Sequence, residues 1–431
     1  VREGQLATLA HVKHRLHGLP LFDQLATNAY SMSVNDFAAR RYMDLFAVLP
    51  AAVHPHIRSA LVIGYGIGNT ARALTALPEL ERVEVVDISP DILTLARAIR
   101  PPSGQHPLLD PRVHVRIDDG RFFLEASRAH FDLITGEPPP PIMGGVAGLY
   151  STEYFERMHE RLAQGGIATY WLPMINISAA TGRSIIAAFC AAFEDCSLWN
   201  GSAKNFILMG TRNAGEHGAV SEQRFTAQWN DPALLPELRA IGLELPGQLG
   251  ALFIGDASYL RELTREDPPL TDDWPRRMQR PGTGKERDDL IWQWRDTRAA
   301  RQRFVDSALI EKLWPPHMVG EALRNFENQR LITDLLFPGR TAARQVPVLH
   351  QVLTRSPLQL PLLLMLGSDP DIQAALQRAG SGAERPEWAL HRAAGQLARR
   401  DVRAASISLR DVPDTALPLT GLRSYLLETS E

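Results

Sequence analysis

Cysteine is nearly missing from this chain. Its 431 residues hold only Cys190 and Cys196, both inside "AAFCAAFEDCSLW". Two thiols without a companion cluster of His or Cys do not make a zinc site. A chain this long does not depend on a disulfide framework either, so both are expected as free thiols in a reducing compartment. Long apolar runs are missing as well. The longest candidate, "LQLPLLLMLG", is interrupted by Pro361 and falls well short of the roughly 20 residues of a membrane-spanning helix. The opening residues do not read as a secretory signal. An excess of one charge is also lacking: 46 Lys and Arg stand against 49 Asp and Glu, a net charge of -3. That balance offers no basic footprint for nucleic acid and no acidic tail. What remains is a chain with 45% hydrophobic and 22% charged residues, the composition of globular proteins, long enough for more than one domain. Its expected place is the cytoplasm and its expected partner a small molecule.

The pattern divides the chain into four segments. Residues 1–55 are β-rich at first, with "QLATLAHVKH" and "GLPLFDQLA" reading as strands, and then helical over "VNDFAARRYMDLFAVLP", where Pro50 is expected to stop the helix. Residues 56–212 alternate strand and helix. "SALVIGYG", "RVEVVDIS", "RVHVRIDDG", "FDLITGE", "IATYWLP" and "NFILMG" read as strands, with amphipathic helices between them. The helix "STEYFERMHERLAQGG" is expected to close at Gly165 and Gly166. Alternation of this kind predicts an α/β fold, a Rossmann-like doubly wound sheet. Residues 213–284 read as an irregular extension, and residues 285–431 as a helical, Arg- and Ala-rich C-terminal region.

In such a sheet, ligands bind at the carboxyl ends of the strands. The first strand ends in "GYGIGN", where Gly64, Gly66 and Gly68 allow a tight turn and a close ligand at a helix start. The spacing is G-x-G-x-G rather than the G-x-G-x-x-G of dinucleotide binders, which points to a nucleoside such as S-adenosylmethionine or a derivative. The second strand ends in Asp87, placed to accept both ribose hydroxyls. Ser89 can cap the following helix. The third ends in Asp118, Asp119 and Gly120. A carboxylate there can take an adenine amine or cap the next helix. The fourth ends in Gly136 and Glu137 before four prolines. Gly136 is expected to leave space beside the acid, and the prolines to fix the loop without competing donors. A single carboxylate in a dry mouth can hold a cationic amine or take a proton from one.

Taken in order, "ALVIGYGIGNTARAL", "VEVVDIS", "RIDDGRFFL", "FDLITGEPPPP" and "LYSTEYFERMHERLAQGGI" resemble the polyamine aminopropyltransferases, the spermidine and spermine synthases. They look most like the bacterial branch fused to membrane-spanning segments. The resemblance implies a small N-terminal β-domain before a sheet like that of class I methyltransferases. It implies transfer of an aminopropyl group from decarboxylated S-adenosylmethionine to an amine, with Glu137 as base and amine anchor and no metal. It further implies Ile88 at the nucleoside, and Tyr42, Asp44, Tyr150 and Trp171 on the substrate side. A homodimer, and a tether to the inner face of a membrane through segments ahead of Val1, belong to the same expectation. The chain departs from the family pattern in several places. Pro140 replaces the second acid of the strand-four loop. Ile67 replaces an Asp of the glycine loop, Met32 a Gln, and Met43 a His. Two other readings of the residues stay open: a methyltransferase using intact S-adenosylmethionine, and an adenosyl-binding domain without catalysis.

Overall fold

The computed structural model describes residues 1–4, 7–16, 19–28, 30–99, 101, 105–141, 143, 145–202, 204–213, 218–273, 284–336, 389, 392–393, 396 and 401–410. The chain divides into two compact units: 1–14, 20–227 and 252–319 form one, and 15–19, 228–251 and 320–431 the other.

The chain opens with a four-stranded sheet in the order β1 (Arg2–Glu3), β2 (Thr8–Leu16), β3 (Leu19–Thr27), β4 (Tyr30–Val34). Helix α1 (Phe37–Val53) follows, capped by the Asp36 carboxylate, which accepts from Ala39 N at 2.8 Å. The main sheet holds β5 (Ser59–Ile63), β6 (Arg82–Asp87), β7 (Val113–Ile117), β8 (Phe131–Gly136), β9 (Leu162–Pro173), β10 (Ser197–Ser202), β11 (Asn205–Thr211) and β12 (Phe253–Asp256). Its order is β12-β10-β11-β9-β8-β5-β6-β7. Strands β7, β6, β5, β8 and β9 are parallel neighbours, and β11 enters antiparallel between β9 and β10. This is the expected Rossmann-like, doubly wound α/β sheet. The order reverses between β5 and β8, which opens a crevice at their carboxyl ends.

Alternation along each strand feeds two cores. Ala60 and Val62 of β5 pack with Ala47 of α1, Leu74 of α2 (Asn69–Thr75) and Leu93 of α3 (Pro90–Ala96). Leu61 and Ile63 face the other way, toward Phe155 of α5 (Thr152–Arg161) and Ile185 and Phe189 of α6 (Ala179–Ala192). A period of two is what a sheet covered on both faces requires. Helix α4 (Gly120–Ala126) links β7 to β8.

Several local expectations are corrected. Pro50 does not stop α1, which runs on to Val53. A proline inside a helix strands the carbonyl four residues back. Here that carbonyl, on Phe46, accepts a hydrogen bond from the Thr169 hydroxyl at 3.1 Å. Gly165 and Gly166 do not close α5. The helix ends at Arg161 and β9 begins at Leu162, with a register shift against β8 before residue 133. A Cβ on Gly166 would lie 2.9 Å from the Phe131 carbonyl, so the glycine lets the two backbones meet. Asn205–Thr211 is not the last strand. β10 precedes it, and the segment expected to be irregular returns β12 to the sheet edge. The cysteines are not free: Cys190, near the end of α6, and Cys196, just before β10, form a disulfide with Cα atoms 5.2 Å apart.

In the C-terminal region, helices cover Lys285–Trp294, Thr297–Val305, Ala308–Leu313, Pro316–Leu336 and Val402–Arg410. The remainder of the expected helical region lies outside the described residues. No helix among the described residues is long and apolar enough to cross a membrane.

Thr169 is fully buried, so Thr169→Val keeps its shape and leaves the Phe46 carbonyl unpaired. The expected loss is about 1–3 kcal/mol, read as a lower urea midpoint at unchanged slope. A midpoint equal to that of the parent chain would show that the Pro50 turn is held by something else.

Candidate active site

The crevice at the carboxyl ends of β5 and β8 holds a cavity of about 450 Å³, a size within the roughly 300–1,000 Å³ usual for small-molecule sites. Gly64, Gly66, Asp87, Ile88, Asp119, Gly120, Glu137 and Trp171, all singled out in the sequence, line it. Gly68, Asp118, Tyr42, Asp44 and Tyr150 do not, and each has a different physical reason.

The glycine loop turns as its spacing requires, with φ of +87° at Gly64, +55° at Gly66 and +89° at Gly68, a region that costs other residues strain. The N-terminal sheet closes down on this loop. A Cβ on Gly66 would lie 2.9 Å from Ser33 Oγ. Ile67 N donates to that same oxygen at 3.3 Å, and Asn69 Nδ2 donates to the Val34 carbonyl at 3.1 Å. Gly68 instead faces the Tyr65 ring, whose hydroxyl would lie 2.5 Å from a Cβ there. Ile67, where the family has an acid, is buried against Leu25 and Ile99.

Asp87 is buried, and both carboxylate oxygens are partly spent: one accepts from Tyr65 N and the other from Ser89 N, each at 2.8 Å. Burial raises its pKa, while backbone N–H groups of Tyr65, Ser89 and Gly66 pull it back. Asp87 therefore holds the glycine loop in shape and still offers lone pairs to the cavity. Ser89 caps α3 as expected, accepting from Ile92 N at 3.3 Å. Asp119 takes the capping role weighed for it. Its Oδ1 caps α4, accepting from Arg121 N at 2.9 Å and Phe122 N at 3.0 Å, and the residue lines the cavity. Asp118 turns back to accept from Asp119 N at 2.9 Å. Ile88 is 56% exposed at the cavity lip.

Glu137 stands at the other end. The Tyr42 hydroxyl donates to its Oε1, and the Tyr42 ring stacks on Trp171 with centroids 6.0 Å apart. Trp171 is fixed in turn by its Nε1, which donates to Asn205 Oδ1 at 3.1 Å. Tyr42 thus acts from beneath the acid rather than from the cavity wall. Tyr150 is also beneath it: the side chain is fully buried, and its hydroxyl donates to the carbonyls of Pro138 at 3.4 Å and Pro139 at 3.3 Å. Proline carbonyls keep their accepting power, and Tyr150 uses it to hold the wall. Gly136 does not leave open space. A Cβ there would lie 2.5 Å from the Tyr170 ring, which fills that place. Asp44 is drawn away by charge: its Oδ2 accepts from Arg72 at 2.6 Å and from Arg40 at 3.3 Å, and the residue is buried.

Sequence reading missed much of the lining. Leu9, Thr27, Asn28 and Ser33 come from the N-terminal sheet, and Met143, Val146 and Leu149 from the segment after the prolines. Only the turn-forming Asn28, with φ of +50°, carried a local signal. Thr27 keeps a buried hydroxyl with no partner among the described residues, an unspent group beside a ligand-sized space.

The charge of the site is one-sided. The described lining contains three carboxylates, on Asp87, Asp119 and Glu137, and no Lys, Arg or His. Burial pushes the Glu137 pKa up from 4.5 to about 8, against the opposing pull of the Tyr42 hydrogen bond. Among the described residues no group of His, Cys, Asp and Glu is placed to hold a metal.

An acid whose pKa rises on folding holds its proton more tightly in the folded state. Stability is therefore lost as pH rises from about 4.5 toward about 8. Chemical denaturation across that window should show the parent chain falling relative to Glu137→Gln, with the gap constant above it. Tyr42→Phe removes the bond that favours the charged form, so the window should extend upward. Parallel curves for all three proteins would contradict a raised Glu137.

Comparison with known proteins finds a family similarity over part of the chain. Residues 39–196 match the spermine/spermidine synthase domain. The polyamine aminopropyltransferase of Alkaliphilus oremlandii is 32% identical over 126 residues, 29% of this chain and 44% of that relative. The enzyme of that name from Nitrosomonas europaea is 30% identical over 155 residues, 36% of this chain and 46% of that relative. The match thus spans less than half the length of either relative. Among solved structures, a probable spermidine synthase from Corynebacterium glutamicum superimposes with a TM-score of 0.43 at 19% identity, covering 63% of this chain and 95% of its own. A spermidine synthase in complex with the transition-state analogue AdoDATO gives 0.41 at 16% identity, covering 52% of this chain and 82% of its own. Residues 39–196 thus carry a similarity to the spermine/spermidine synthase family.

Proposed function

We propose that the chain transfers an aminopropyl group from decarboxylated S-adenosylmethionine to an amine, with the nucleoside between the glycine loop, Asp87, Ile88 and Asp119, and the reacting amine at Glu137. The observation that carries this reading is the one-sided charge of the cavity. Three carboxylates and no cation line it among the described residues. A sulfonium bearing an ammonium suits such a lining. Intact S-adenosylmethionine would bring a carboxylate with no cation to meet it, at a cost in desolvation. That contrast favours aminopropyl over methyl transfer.

Chemically, the reaction needs a neutral amine, although such amines are ammonium ions at neutral pH. A cationic donor in the cavity lowers the Glu137 pKa and ionises it. The Glu137 carboxylate then takes one proton from the acceptor ammonium. The freed nitrogen lone pair forms the new bond to carbon, and the carbon–sulfur bond breaks with its electron pair going to sulfur. Neutral methylthioadenosine leaves, the product nitrogen keeps its positive charge, and the abstracted proton remains on Glu137 until solvent takes it. Tyr42 donates to the carboxylate throughout, while Tyr150 and the proline wall keep it aimed. A homodimer and a membrane tether belong to the same reading, and neither takes part in this chemistry.

The test is release of methylthioadenosine from decarboxylated S-adenosylmethionine in the presence of amines. Glu137→Gln should cut turnover about 10²–10⁴-fold, the range for a general acid–base group, with methylthioadenosine affinity unchanged. Asp87→Ala should instead weaken methylthioadenosine binding by about 1.5–3 kcal/mol. Normal turnover by Glu137→Gln, or undiminished nucleoside binding by folded Asp87→Ala, would overturn the respective role.

A further inference from the structure

We infer that the acceptor is a primary amine with one positive charge on an apolar body, not a diamine; this rests on the transfer reading above and narrows it. The carboxylates of the cavity are unevenly spent. Asp87 holds the backbone of Tyr65 and Ser89, and Asp119 holds the first turn of α4, both at the strand ends beside the glycine loop. At the Glu137 end the lining is Pro138, Pro139, Met143, Val146, Leu149 and Trp171. The covalent sequence sharpens the point: from Pro138 to Thr152 the chain contains no acid at all. Of the acids at α1, Asp36 caps the helix by accepting from Ala39 N and Asp44 is held by Arg72 and Arg40, and neither lines the cavity.

One ammonium can therefore be matched, by Glu137. A second, at the far end of an acceptor chain, would leave water for thioether, proline and aliphatic surface with no counter-charge, which is strongly unfavourable. An alkyl tail in the same place gains from every apolar contact instead. The apolar wall and the lone acid thus select the same kind of molecule from two directions.

The experiment uses the full chain, decarboxylated S-adenosylmethionine, and two acceptors of equal carbon count, pentylamine and cadaverine, with methylthioadenosine as readout. The kcat/KM for pentylamine is expected to exceed that for cadaverine by at least about tenfold, given the cost of an unpaired buried charge. Cadaverine equal to or better than pentylamine would overturn the inference while leaving the transfer reading intact. If no amine releases methylthioadenosine, the transfer reading fails. The inference is then decided by calorimetric titration of the two amines into the chain saturated with methylthioadenosine. Tighter binding of pentylamine supports it. Equal or tighter binding of cadaverine, or no binding of either, overturns it.

Discussion

The hydrogen bond from Tyr42 to Glu137 joins the helix that precedes the sheet to the mouth of its fourth strand. It is made across 95 residues of sequence, and much of the site's geometry serves to keep it. Trp171 stacks on the Tyr42 ring and is itself fixed by Asn205. Tyr170 fills the place beside Gly136, and Tyr150 holds the proline carbonyls that follow. The acid is thereby confined in a place that disfavours its charge, with a single side-chain donor, Tyr42, among the described residues to compensate. Burial raises its pKa to about 8, and on the transfer reading proposed above a cation arriving in the cavity would ionise it.

The same arrangement accounts for the two-ended character of the cavity. At the strand ends β5, β6 and β7, acids are used to organise backbone, so the loops that would meet a nucleoside are stiff. At the β8 end, backbone is organised by proline and aromatic packing, and the Glu137 carboxylate holds no backbone N–H among the described residues. Asp44 shows the difference. It lies two residues from Tyr42 on α1, yet its charge is absorbed by Arg72 of α2. That buried pair anchors α1 to the helix of the glycine loop and so sets the position of Tyr42 as well.

Much of this was legible in the sequence, and for a clear reason. Alternation of two residues per repeat marks strands, and chain order in a doubly wound sheet fixes which loops share an edge. Gly64, Gly66, Asp87, Asp119 and Glu137 could therefore be brought together without coordinates. What was illegible depends on contacts between distant segments. Nothing near Asp44 announces Arg72, and nothing near Pro50 announces that Thr169 will satisfy the carbonyl it strands. Tyr150 looked like a wall residue because its neighbours resemble a family motif, whereas burial turns it into a prop. The strand Ser197–Ser202 was not read from the sequence, where Asn200 and Gly201 are poor strand formers. The structure uses them as a bulge, where Gly201 admits α1 close to the sheet and its carbonyl accepts from Arg41 Nε at 3.1 Å. The disulfide was missed because composition argues about compartments, while the turn after α6 brings Cys190 and Cys196 together locally.

The central claim is that Glu137 is held neutral by burial and is ionised by a cationic ligand. Proton release on binding tests it most directly. Calorimetric titrations of decarboxylated S-adenosylmethionine at pH 7, in buffers of different ionisation enthalpy, report the number of protons that leave with binding. With a Glu137 pKa of about 8 in the free chain, binding of the cationic donor should release about one proton. Neutral methylthioadenosine should release none, and Glu137→Gln should release none with either ligand. Donor binding to the parent chain without proton release would contradict the account.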